Sequence, residues 1–289
     1  MDGISGAIGL PVLGAALHPL LGALVQRSSK LGVRLPVILG TANIMTFGIF
    51  LCYLRPDFSG GFGYGDGLAM LNGVLFFWGQ WFSIQSVRKG DLVVHSAALG
   101  FKVVFVAVFS ASVGLEPAGS GLFAGALLAC LAVYFAAGAT LARFMENRTT
   151  LWLTLVACAF FGTNDFLTGW KAQDIGGPRW LILMIGTAAT LSVGMLLPRW
   201  SQMKEAFACR KRSLSVVGAG LTLGLQALLV NLAFSWYREP ALSNIAYSTR
   251  GVMAVLFVWA FVKRFREPLG RRQLVGASLM IAALALVLL

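Results

Sequence analysis

The stretch Asp91–Leu115, DLVVHSAALGFKVVFVAVFSASVGL, is apolar almost throughout yet carries Lys102 near its middle. About twenty consecutive apolar residues cross the hydrocarbon of a bilayer. A lysine at the midpoint of such a run costs roughly 2.5–3.5 kcal/mol on insertion scales, so it is expected to face a bundle interior or a wet cavity. A second run, LSNIAYSTRGVMAVLFVWAFVKRF (Leu242–Phe265), lies 151 positions on, with Gly251 matching Gly100 and a cation, Arg250, one residue before its glycine where Lys102 is two after its own. Two halves with a buried cation at similar depth suggest an inverted-repeat membrane transporter.

Composition agrees. The chain is 58% apolar and only 12% charged, with mean hydropathy +0.80, whereas a soluble domain carries about 25% charged residues. The net charge of +12 would fit a nucleic-acid partner in a soluble protein. Here the basic residues sit in short gaps between apolar runs, so the expected partners are lipid and a small molecule, with no nucleic acid. Cys52, Cys130, Cys158 and Cys209 are scattered without metal-ligand spacing, so neither a disulfide framework nor a metal or other cofactor is expected. The first apolar run has no Lys or Arg before it, unlike a cleaved signal peptide, and reads as a first membrane helix.

Ten spans are expected, at roughly 4–26, 35–54, 67–87, 91–114, 120–142, 150–171, 180–197, 213–236, 241–263 and 271–289, each helical because lipid satisfies no backbone groups. Seventeen of the 23 Lys and Arg lie in the gaps after odd-numbered spans, including Arg27, Lys30 and Arg34, and Arg210, Lys211 and Arg212. The gaps after even-numbered spans hold Arg55, Lys171, Arg179 and Arg238. The positive-inside rule then puts the odd gaps in the cytoplasm and both termini on the other side. The longest gap, Pro198–Arg212, leaves no room for a soluble domain.

A repeat is visible in the sequence itself. Glu116-Pro117, seven residues, then Gly125-Ala126 recurs as Glu267-Pro268, seven residues, then Gly276-Ala277. The same 151-residue shift pairs Gly67 with Gly218 and Gln80 with Asn231. Five spans per half is an odd number, so the second half inserts upside down, and inverted repeats of this kind build a midplane site with alternating access. The expected fold is an all-α integral membrane protein of ten transmembrane helices, with one five-helix repeat over 1–145 and its inverted copy over 146–289.

On these residues the chain resembles the drug/metabolite transporter superfamily, EamA-like branch. Glu267-Pro268-Leu269 followed by Gly276-Ala277-Ser278-Leu279 fits the turn and helix that close each half in that family, and Glu116-Pro117-Ala118 with Gly125-Ala126-Leu127-Leu128 fits nearly as well. Phe161-Gly162-Thr163-Asn164 is similar to the family's Trp-Gly-Ser/Thr-Asn opening of a half, of which Gly14-Ala15-Ala16-Leu17 keeps the glycine alone. The resemblance covers nearly the whole chain. It implies a secondary transporter in a cell membrane, bacterial by expectation, working as a monomer or homodimer, without an enzymatic step. It says little of the cargo, because the family carries amino acids, sugars, nucleotide sugars, phosphorylated sugars and cationic drugs.

Candidate site residues follow from charge and face. His95 and Lys102 are seven apart and share one face of a continuous helix, about 10.5 Å apart; Lys102 either lines the cavity or pairs with Asp165 to hold helices together. Ser243, Tyr247 and Arg250 share a face in the ninth span, where Arg250 offers a planar fork for carboxylate or phosphate or braces backbone carbonyls. Asp165 is the one carboxylate well inside a span. It either stays charged beside Lys102 or Arg250, or stands unpaired and accepts a proton. Asn164 and Thr168, one turn apart, add hydrogen-bonding capacity. His18, beside Pro19, is a second candidate proton carrier with His95, though a satisfied histidine at a kink is the plainer reading. Asn72, Gln80, Gln226 and Asn231 are divided between lining the cavity and joining helices. Two midplane cations against one acid favour an anionic or zwitterionic metabolite. Efflux of cationic or aromatic drugs is the alternative, and an intramembrane transferase on a lipid-linked substrate is a remote one, lacking paired acids or a metal cluster.

Overall fold

A computed structural model describes residues 3–89, 94–95, 98–115, 120–136, 140–250, 252–253, 256–257 and 271–288. Gly251 and the dipeptides Glu116-Pro117 and Glu267-Pro268 lie outside the described residues. Among those described the chain is all helical. In order the helices are α1 (Gly3–Lys30), α2 (Leu35–Tyr53), α3 (Tyr64–Lys89), α4 (Phe101–Ser112), α5 (Ser120–Ala136), α6 (Leu141–Glu146), α7 (Arg148–Lys171), α8 (Gly177–Leu196), α9 (Trp200–Ala208), α10 (Arg210–Tyr237), α11 (Pro240–Tyr247) and α12 (Arg271–Leu288).

Among the described residues, five helical stretches are long and apolar enough to cross a membrane: Ser5–Lys30, Leu35–Tyr53, Arg148–Asp174, Gly177–Ala208 and Arg210–Tyr237. The protein is an α-helical, membrane-embedded one. At 1.5 Å per residue, the 28 residues of α10 reach about 42 Å, enough for a full bilayer with some tilt. Pro11 and Pro19 lie inside α1, where the amide each lacks costs a hydrogen bond that neighbouring helices help offset in a membrane.

Two of the four hydrophobic clusters among the described residues hold most of the packing. One joins α2, α3, α7, α8 and α10 through Phe50, Phe76, Trp180, Met184 and Ile185. The other joins α4, α5, α11 and α12 through small side chains such as Ala107, Ala126, Ala129, Ala241 and Ala283. Small residues let backbones approach closely, the main source of cohesion where no hydrophobic force acts between helices. The principal neighbours are α1 with α10, α3 with α7, α2 with α10, α3 with α8, α2 with α8, α4 with α7, α1 with α11, α4 with α11, and α5 with α12.

Three expectations need correction. The apolar run through Lys102 is not one helix. Val94, His95 and Ala98 are helical, Leu99–Gly100 form a turn, and α4 begins at Phe101. The amides of Lys102 and Val103 bond back three residues, to Leu99 and Gly100, rather than four. The ninth span breaks likewise at Ser248–Thr249, just before Arg250. There the Thr249 amide bonds back three residues, to Ala246, and the hydroxyls of Ser248 and Thr249 donate to the carbonyls of Asn244 (2.9 Å) and Ala246 (2.7 Å). The gap at 198–212, finally, is itself largely helical, as α9.

Candidate functional site

A cavity of about 210 Å³ lies among α1, α2, α3, α4, α7, α10 and α11. Its polar lining comes from His18 on α1, Gln80 and Ser83 on α3, Lys102 on α4, Asp165 on α7, Gln226 and Asn231 on α10, Tyr247 on α11 and Arg250 just past it. Elements far apart in sequence thus bring Lys102, Asp165 and Arg250 to one place.

Lys102 Nζ donates to Asp165 Oδ2 at 2.7 Å, and both side chains are over nine-tenths buried. Gly162, one turn before Asp165, lets α7 approach α4: a Cβ there would meet Phe105 Cβ at 3.1 Å. Burying two charges is offset only by good geometry between them, which this contact has. Tyr247 stands between the cations, with Lys102 Nζ 5.4 Å and Arg250 Cζ 4.9 Å from its ring centroid. Both lie within the roughly 6 Å over which a ring face attracts a cation. The Tyr247 hydroxyl accepts from Gln226 Nε2, while His18 meets the Tyr247 ring edge-on at 6.5 Å. Arg250 is buried and, among the described residues, has no carboxylate partner.

Of the residues singled out from sequence, His18, Gln80, Lys102, Asp165, Asn231, Tyr247 and Arg250 meet at this cavity. Asn164 and His95 do not line it. Asn164 Nδ2 donates to the Asn72 carbonyl at 3.1 Å and contacts Met184 Sδ, while Asn72 Nδ2 donates to Thr168 Oγ1 at 2.9 Å, tying α3, α7 and α8 together. His95 sits in a knot with Ser86 Oγ (3.1 Å) and Thr154 Oγ1 (3.0 Å). Because the helix breaks after it, His95 and Lys102 do not share the continuous face their spacing predicts. Ser243 also leaves the site, its hydroxyl donating to the Ala7 carbonyl at 2.9 Å.

The apolar lining gives the cavity a direction. Leu21 and Val25 of α1, Ile38 and Leu39 of α2, Ile84 of α3 and Leu223 of α10 carry it toward the end of the bundle where Lys30, Arg34 and Arg210 lie. At the opposite end the helices close. Arg179, at the start of α8, forms a two-pronged pair with Asp66, Nε to Oδ1 at 2.6 Å and Nη2 to Oδ2 at 2.8 Å, and reaches the carbonyls of Asp57 and Gly61. Asp66 Oδ2 also accepts from the Gly63 amide at 2.7 Å, capping α3. Gln173 Nε2 donates to the carbonyls of Ser235 and Trp236, and Tyr237 packs on Gly6. In the link between α10 and α11, burial lifts the Glu239 carboxyl above the ordinary glutamate value. The Asp66–Arg179 pair had no sequence signal beyond two charges at span ends.

No family model and no curated protein matches the chain. A solved structure described only as "Crystal structure of protein" aligns with 97% of this chain and 96% of its own, with a TM-score of 0.72 and 12% sequence identity. That likeness concerns the fold alone.

Proposed function

We propose that this protein is a secondary transporter of ten membrane spans, built as two inverted five-helix repeats, that carries a small anionic or zwitterionic metabolite by alternating access. The observation that carries the reading is the central cavity, into which two helices broken beside a buried cation bring Lys102 and Arg250. Discontinuous helices meeting at a midplane site are the recurring device of secondary transporters.

The packing supports an inverted repeat. Exchanging α1, α2, α3, α4 and α5 for α7, α8, α10, α11 and α12 turns most of the closely packed pairs into another, although α7–α10 has no comparable α1–α3 counterpart among the described residues: α1–α10 becomes α7–α3, α2–α10 becomes α8–α3, and α4–α7 becomes α11–α1. The pairs α2–α8, α4–α11 and α5–α12 map onto themselves. Gly73 and Gly224, 151 residues apart, each sit where a Cβ would collide across such a contact, with Met184 and Ile49 respectively. On this reading the structure is the state whose cavity faces the basic, cytoplasmic end, and the Asp66–Arg179 end is the closed external gate. The kinship that fits these features is the EamA-like branch of the drug/metabolite transporters. Efflux of cationic drugs is not favoured, because Asp165, the cavity's one acid, is already engaged by Lys102.

Uptake by purified protein in proteoliposomes tests the reading. Lys102→Ala and Arg250→Ala proteins that insert normally are expected to lose uptake of the wild-type cargo; full transport by both removes them from the site.

A further inference from the structure

The charges around the cavity can be counted. Lys102 is neutralised by Asp165 at 2.7 Å. Arg250 lies 4.9 Å from the Tyr247 ring centroid, with no acid partner among the described residues. Among the described lining residues, Lys102, Asp165 and Arg250 together leave one uncompensated positive charge. A ring face offsets part of the cost of burying it, but an unpaired buried charge remains expensive until an anion arrives. One negative group completes the site. Two would leave an excess of the opposite sign, and a cation would double the existing one.

The rest of the wall decides the body. Toward the Lys30 end the wall is largely apolar, with Leu21, Val25, Ile38 and Leu223, while Phe76 and Phe161 flank the middle beside Gln80, Gln226 and Asn231. Neutral donors near the charged head can reach the side-chain oxygens of those three amides, which have no other partner among the described residues, whereas further charges against the apolar wall would lose water without finding partners. The volume of about 210 Å³ lies below the roughly 300–1,000 Å³ of drug-sized sites. We propose that the ligand of this cavity is a small organic monoanion, its single charged head on Arg250 and an apolar or aromatic body against the Leu21–Leu223 wall. This rests on the transport reading for its role as cargo, not for its binding.

The test uses full-length protein in detergent or nanodiscs and one body with four heads: phenylacetate, phenylacetamide, phenethylammonium and benzylphosphonate at a pH where it is doubly ionised. p-Toluenesulfonate serves as a second monoanion of permanent charge. Ligands of the folded state raise apparent thermal stability. Phenylacetate and p-toluenesulfonate are expected to stabilise the wild type, the amide, amine and dianion to fail, and Arg250→Gln to weaken monoanion binding by at least about tenfold, the low end for a charge-assisted hydrogen bond. Arg250→Lys should recover part of it. Stabilisation by the amine or the dianion as strong as by phenylacetate overturns the proposal, as does unchanged affinity in Arg250→Gln or no response to either monoanion. If Arg250→Gln does not fold, the wild-type charge series decides. The two readings separate in proteoliposomes. Radiolabelled p-toluenesulfonate that binds but is never exchanged across the membrane contradicts transport and leaves the binding class standing. Carriage of the amine in its place contradicts the binding class and leaves transport standing.

Discussion

Lys102 and Asp165 are tolerable inside the bundle only together. Removing one partner of a buried pair strands the other and typically costs about 3–5 kcal/mol, whereas replacing both with apolar side chains of like volume is often close to neutral. Lys102→Met is therefore expected to lower thermal stability strongly, and Lys102→Met/Asp165→Leu to regain most of the loss while remaining inactive. Additive single-mutant effects in that double-mutant cycle would show the 2.7 Å contact to be energetically idle. This pair was legible in the sequence because a charge inside an apolar run has few places to go. Tyr247 and Arg250 were legible for the same reason. His95 and Asn164 were misread because spacing gives a face but not a partner. Ser86 and Thr154 capture the histidine, and Asn72 the amide. Asp66 and Arg179 were illegible for the opposite reason, being charges at span ends, where a charge needs no explanation.

At the scale of the element, two glycines test the repeat contacts. A Cβ on Gly73 of α3 would collide with the Met184 backbone carbonyl, which cannot swing away, and lie 2.8 Å from Thr187 Cβ. On Gly224 of α10 it would meet first the far end of the Ile49 side chain, which can rotate, and then Thr46 Cα at 3.1 Å. Gly73→Ala should cost stability at the upper end of the roughly 1–3 kcal/mol typical of overpacking, and Gly224→Ala distinctly less. Thermal unfolding in one detergent checks this, and equal losses would contradict the difference in contacts. Helix breaks mark where the sequence was harder to follow. The run Asp91–Leu115 is apolar on both sides of Gly100, so hydropathy reads through the break. The break after Tyr247 falls at Ser248 and Thr249, whose hydroxyls bond their own backbone as those of Thr46, Thr154 and Ser192 do inside continuous helices, so no local residue type marks it. Helix α9 hides in a gap whose basic residues count as loop under the positive-inside rule, although a chain with Trp200, Met203 and Phe207 every three to four residues has an apolar side of its own.

For the molecule as a whole, the decisive feature is that the cavity reaches toward one end while the other is tied shut. Apart from apolar packing, that closure depends on few groups: Arg179 on Asp66 and two carbonyls, Gln173 on the end of α10, and Ser243 on α1. Asp66→Asn keeps the size of the side chain and removes its charge, turning a two-pronged ion pair into at most a neutral hydrogen bond, roughly half as strong. If the two ends exchange access, that substitution shifts the balance toward opening at the Asp66 end without touching the cavity. The direct measurement is the labelling rate of Asn231→Cys, in a background free of the four native cysteines, by a membrane-impermeant thiol reagent added to either face of sealed vesicles. Labelling is expected to be fast from the face bearing Lys30 and Arg210 and slow from the Asp66 face, with Asp66→Asn speeding the slow side. Protection from both faces, or rates that Asp66→Asn leaves untouched, would contradict a cavity exposed to one side at a time.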